Sequence, residues 1–274
     1  MLTMTSGLRY SNSDLLADFV DGADYCSNVT NQVGYLFRES LGDPTIGTRR
    51  QFDYLVISDI LSYTILEKTG LTPRELLASK VLPNIGIEDN EINWTADIES
   101  FCPGYTPVPG TPEPAFHGLY LTAAQMAKIG MLYLQNGMTG PDTAVVSPGW
   151  VNETFTSHVF IGENFAYDTP SPFGEAIPYG YLWYNIGSHW SAQGYGGQVI
   201  SIDPMLRRVF VYQHDDDVPG GEMEAFNLEV MALDPSVSYE APSIGVSSGQ
   251  QFPCLIQLSC LVTILLLPPT LLWL

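Results

Sequence analysis

The clearest alternation of apolar and polar positions lies in residues 189–215, which read H-W-S-A-Q-G-Y-G-G-Q-V-I-S-I-D-P-M-L-R-R-V-F-V-Y-Q-H-D. Two β-branched apolar runs, 199–202 and 209–212, flank Asp203-Pro204, and a third short strand ends where Gly194, Gly196 and Gly197 begin. The pattern predicts a three-strand meander. The glycine density suits a sharp strand exit with bare backbone for a ligand, and it suits a plain hairpin turn equally well. Upstream, 179–184 alternates as a further strand entering the meander.

Helical spacing appears elsewhere. Ile60, Leu61, Thr64 and Ile65 share one face of a helix over 58–68, with Thr69-Gly70 as its stop. Thr72, Pro73 and Glu75 supply N-cap, first-turn proline and capping box for a second helix running to about Val81, ahead of Pro83. From Thr122 a third helix carries Met126, Ile129, Gly130, Tyr133 and Leu134, until Asn136-Gly137 ends it; such a stripe reads as core. Ser147-Pro148 opens a fourth, read through Thr156, and 225–233 reads as a closing helix packed on the sheet. Residues 12–50 are polar and predict loop with one short helix at 14–20. Between 84 and 114 the chain is acidic and then proline-rich, which predicts a long surface loop.

These elements give an α+β class, an antiparallel sheet with helices against it, in one domain over 1–240, then a linker at 241–252 and an apolar tail at 253–274. The tail has no charge and is long enough to span a bilayer, although Pro268-Pro269 would break a helix near its end. Three readings of it stand: a membrane span, a removed GPI-anchor signal with Ser243, Ser247, Ser248 and Gly249 ahead of it, and a misread gene end. Three sequons begin at Asn28, Asn93 and Asn152; with the tail they point to the secretory pathway, cell surface or a membrane-attached location. Cys26 and Cys102 fall outside the tail and fit either a disulfide or two buried thiols.

A formal charge of −20, from 30 acidic and 10 basic residues, opposes binding to phosphate backbones, so nucleic acid is excluded as an expected partner. The chain lacks a Cys-x-x-Cys pair or a histidine cluster of ligand spacing, and neither metal nor cofactor is expected.

Four segments in order resemble the serine β-lactamase and penicillin-binding-protein superfamily, in particular class C-related esterases and amide hydrolases. M-L-T-M-T-S-G-L at 1–8 is similar to that family's L-L-T-H-T-S-G-L. Phe52-Asp53-Tyr54 with Glu67-Lys68-Thr69-Gly70 resembles the stretch bearing its Tyr-x-Asn motif, and 117–136, H-G-L-Y-L-T-A-A-Q-M-A-K-I-G-M-L-Y-L-Q-N, resembles the helix after its G-G-L. The run 190–198 with Asp203-Pro204 resembles its third motif region.

The resemblance implies a β-lactamase/transpeptidase-like fold in which a Ser attacks an acyl carbonyl of a small ester or amide, a Lys manages its proton, and a Tyr acts as acid and base. It assigns that acid-base role to Tyr54 and a backbone oxyanion donor to Tyr195. Ala192, Gln193 and Gly194 then line the substrate, with His117 near them, while His189 and His214 are read as surface or strand-end residues. Val56 stands where the motif has Asn, and Ala192-Gln193-Gly194 where many members carry Lys or His, Ser or Thr, then Gly. The residues three before Lys68, Lys80 and Lys128 are Ile65, Leu77 and Gln125, so no Ser-x-x-Lys occurs. The chain is therefore expected to lack the first strands and the nucleophile helix of the fold, and by itself to be inactive. The alternative is a cell-surface glycoprotein that keeps the fold without the chemistry; upstream sequence with Ser-x-x-Lys would separate the two.

Overall fold

The computed structural model describes residues 2–3, 55–94, 112, 118–161, 177–186, 188–194, 198–213 and 252–254. The helices expected at 14–20 and 225–233, both non-tail cysteines and residues 255–274 lie outside them.

Four helices follow from local chemistry. Helix α1, Leu55–Thr69, buries Ile60, Leu61 and Ile65 on the expected face. It stops at Gly70, whose φ of 72° lets its N–H return to the Leu66 carbonyl at 2.8 Å. Helix α2, Pro73–Lys80, starts on the expected capping box: Glu75 N donates to Thr72 Oγ1 at 3.3 Å and Thr72 N to Glu75 Oε2 at 2.8 Å. Helix α3, Ala123–Leu134, repeats the device with Thr122 and Gln125. It ends where Asn136 and Gly137 take left-handed φ values of 57° and 80°. Gly137 is sterically required as well, since a Cβ there would sit 2.1 Å from the Val146 carbonyl oxygen. Helix α4, Pro148–Thr154, is capped by Ser147 and ends two residues short of the expected Thr156.

The central sheet has six strands: β5 Val159–Ile161, β6 Ile177–Tyr179, β7 Tyr184–Ile186, β8 His189–Gly194, β9 Gln198–Asp203 and β10 Arg208–Tyr212. Each pairs antiparallel with its neighbour in sequence, in the spatial order β10-β9-β8-β7-β6-β5, so the expected meander is present and extends further upstream. The architecture is α+β.

Trp190, Ala192, Ile200, Ile202, Val209 and Val211 share one face by register and join the core. Helix α3 lies directly on it: a Cβ at Gly130 would meet Val209 Cγ1 at 2.5 Å and Ile200 Cγ2 at 3.0 Å. That closeness needs glycine in mid-helix despite its propensity cost of about 1 kcal/mol.

Two expectations need correction. Residues 179–184 are not one strand; Tyr179 and Tyr184 are cross-strand partners, joined by a turn over 180–183. The aromatic alternation looks strand-like, but tertiary contacts reverse the chain. Tyr181 N donates to the Thr154 carbonyl at 3.1 Å, and a Cβ at Gly180 would lie 2.2 Å from that same oxygen. Leu182 is held at φ 67° with its side chain fully buried.

The first part of the 84–114 stretch is not surface loop either. It forms two 3-10 turns, Leu82–Ile85 and Asp89–Glu91, and the short strand β1, Asn93–Trp94, and it buries Ile87, Ile92 and Trp94. Their spacing fits neither the helix nor the strand period, so each is buried singly and no pattern flags them. Strand β1 pairs with β2, Leu119–Leu121, whose other edge takes β11, Phe252–Cys254. The first residues of the apolar tail are thus strand-paired. Among the described residues no helix is long and apolar enough to cross a membrane. A separate hairpin, β3 Met138–Gly140 with β4 Thr143–Ala144, follows α3.

Candidate functional site

Strand β8 carries the sequence-derived substrate residues, and the sheet sends them to different sides. Ala192 is fully buried on the face under α3, beside its partner Ile200. It brings packing and no proton-transfer group. Gln193 points to the opposite face, where its Nε2 donates to Ser191 Oγ at 3.2 Å along its own strand. Gly194, half-buried, closes β8 opposite Gln198. Tyr54, His117 and Tyr195 lie outside the described residues, as do His214, Gly196 and Gly197.

The face of the sheet turned away from α3 is one the sequence reading passed over. Ser191 pairs with Ser201, and the adjoining Trp190–Ile202 pair puts His189 alongside Asp203. All four are at most 5% exposed. His189 is the first residue of β8, as expected of a strand end, but it is not on the surface. The polar members of the alternating run were the available signal: a strand reading Ser-x-Gln opposite another reading Ser-x-Asp marks a polar ladder.

Serine, histidine and aspartate together invite a hydrolytic reading, which burial argues against. Ser191 is fully buried and has no surface to offer a substrate; its oxygen already accepts from Gln193. Asp203 is committed to the β9–β10 turn, where Oδ1 accepts from Met205 N at 2.8 Å and Leu206 N at 2.9 Å. A one-residue slip would turn these polar side chains onto the apolar face under α3, so the ladder goes with a single strand register.

Beneath α3 the sheet meets an aromatic cluster. The Trp183 ring centroid lies 5.0 Å from Tyr133 and 5.3 Å from Phe155, which stacks on Trp190 at 5.3 Å. The Tyr133 hydroxyl and the Trp183 indole N–H approach each other without good hydrogen-bond geometry. Burial, only partly offset by the indole, pushes the Tyr133 hydroxyl far above the usual phenol range.

The folded protein therefore keeps this proton at pH values where the unfolded chain, near its ordinary value of about 10, has lost it. The linked stability is whole below about pH 10 and falls as pH rises past it, by roughly 1.4 kcal/mol per unit per tyrosine. Tyr133→Phe is expected to flatten the fall between about pH 10 and 12, as measured by urea unfolding across that range. An unchanged slope would mean that Tyr133 is not the group responsible.

A second cluster joins α4 to the sheet. His158 stacks on Tyr181 at 4.2 Å, with its Nε2 placed 3.0 Å from the Glu153 carbonyl oxygen, and Tyr181 contacts Trp150 at 5.4 Å. Desolvation, then the Glu153 carboxylate that the Tyr181 hydroxyl bonds, raises that hydroxyl above its ordinary value. On the outer side of α3, Ala124, Ala127, Met131 and Ile85 line an open groove of about 250 Å³. Among the described residues no three His, Cys, Asp or Glu side chains form a metal-holding group. No protein-family model and no curated protein matches the chain.

Proposed function

We propose that the chain is part of a β-lactamase-related serine hydrolase with a β-lactamase/transpeptidase-like fold, acting on a small ester or amide through an acyl-enzyme. The observation that carries this reading is the order of four motif-like segments in the sequence, two of which fall on described elements. The third-motif segment spans β8 and the start of β9, which ends at Asp203, and the segment after H-G-L is the capped helix α3 lying on that sheet.

In this reading the nucleophile comes from a Ser-x-x-Lys segment that the 274 residues do not contain. The serine oxygen adds to the acyl carbonyl while its proton passes to the lysine. Tyr54 protonates the departing alkoxide or amine and then draws a proton from water for deacylation. The Tyr195 backbone N–H, with that of the nucleophile, holds the oxyanion. The protein is proposed to work in the secretory pathway or at the cell surface, with membrane attachment through the tail.

A second reading has its own support. Ala192 stands in place of a lysine or histidine and no Ser-x-x-Lys is present, as a non-catalytic glycoprotein of the same fold would have it. A fluorescent acylating probe tests the chemistry on this chain. No serine among the 274 residues is expected to label, and stoichiometric labelling of any of them would overturn the assignment of the nucleophile.

A further inference from the structure

One polar group in α4 works against the fold around it. The Thr154 hydroxyl is fully buried, and its oxygen has no hydrogen-bond partner. A hydroxyl taken out of water and left unpaired is unfavourable, and valine would fill the same volume without that cost. Thr154 contributes to packing through its backbone instead: its carbonyl takes the Tyr181 N–H, and Gly180 presses against it. Nothing among the described residues uses the oxygen.

The sequence does supply a use for it, because Thr154 is the third residue of Asn152-Glu153-Thr154. Asn152 is exposed, on α4 with Pro148 and Gly149, which are exposed as well, as is Thr156 just past the helix end. Its side-chain amide has no partner among the described residues; only its backbone carbonyl is engaged, by Thr156 Oγ1. A bulky hydrophilic substituent there would extend into water without touching the sheet.

We infer that Asn152 is an N-glycosylation site and that Thr154 keeps its hydroxyl for recognition by the transferase rather than for the fold. The inference is independent of the hydrolase reading and needs only passage through a glycosylating compartment. In the transfer the Asn152 amide nitrogen bonds to the anomeric carbon of a lipid-diphosphate-linked oligosaccharide. The sugar–phosphate bond breaks, the lipid diphosphate leaves with the bonding pair, and the amide proton goes to a base of the transferase. The burial of Thr154 also sets an order of events: the sequon can be read only before α4 docks on the 180–183 turn.

The test translates the full chain, behind a cleavable leader, into microsomes, with protease protection identifying translocated molecules and peptide mass spectrometry reading position 152. Wild type and Thr154→Ser should carry a glycan there, and Thr154→Val and Asn152→Gln should lose it. Chain refolded before exposure to the same transferase should stay unmodified. Without a glycan, Thr154→Val should unfold at a denaturant midpoint equal to or above that of wild type. An unmodified Asn152 in translocated wild type, or a lower midpoint in Thr154→Val, overturns the inference.

Discussion

Trp183→Ala should lower unfolding stability by about 3–5 kcal/mol, the range for removing a fully buried large aromatic side chain. Trp183 is the largest fully buried side chain of the protein's described residues, and its ring touches Tyr133 of α3 and Phe155 at the end of α4. Truncation would open a void between two helices and the sheet that none of them can close without losing its own contacts. Edge-to-face aromatic contacts add about 0.5–1.5 kcal/mol beyond area burial. With a typical domain stability of about 5–15 kcal/mol, the loss removes a large part of the total. Urea unfolding of the variant checks it; a change below about 1 kcal/mol would mean that the cluster is not the joint between the layers.

The second large effect concerns turnover. In a hydrolase carrying both this chain and a Ser-x-x-Lys segment, Tyr54→Phe should slow acyl transfer by about a hundredfold or more, because it removes a group that both gives and takes a proton. Substrate binding should change little, so kcat would fall while KM stays near its original value. Steady-state kinetics on a small chromogenic ester separates the two parameters. An unchanged kcat would show that Tyr54 is not the acid-base residue.

Features written in adjacent residues were legible in the sequence. The capping box of Thr72 with Glu75 and the helix start at Thr122 fall where the sequence places them, because an N-cap needs only a hydroxyl next to the first turn; that Gln125 closes a second box at Thr122 is seen in the structure. The helix stop at Asn136-Gly137 and the strands flanking Asp203-Pro204 were equally local. The reversal at 180–183 was not, because its cause is the Thr154 carbonyl far along the chain. Nor was the sheet of β1, β2 and β11, whose strands come from three distant segments and are at most three residues long.

At the candidate site the sequence located the strand that holds Ala192 to Gly194 but not what each residue faces. Period-two alternation gives two faces without saying which is packed, and here both are buried. His189, read as a surface or strand-end residue, is for that reason found at the strand end but buried there.

The measurement that bears most directly on the hydrolase claim is identification of the acylated residue in the product of the complete gene. The transcript upstream of Met1 is read first, its product is treated with a fluorescent acylating probe, and the labelled peptide is sequenced. The account predicts label on the serine of a Ser-x-x-Lys motif, its lysine three residues on, encoded before Met1, and loss of label when that serine becomes alanine. A frame that closes without such a motif, or label on a serine within these 274 residues, would contradict it.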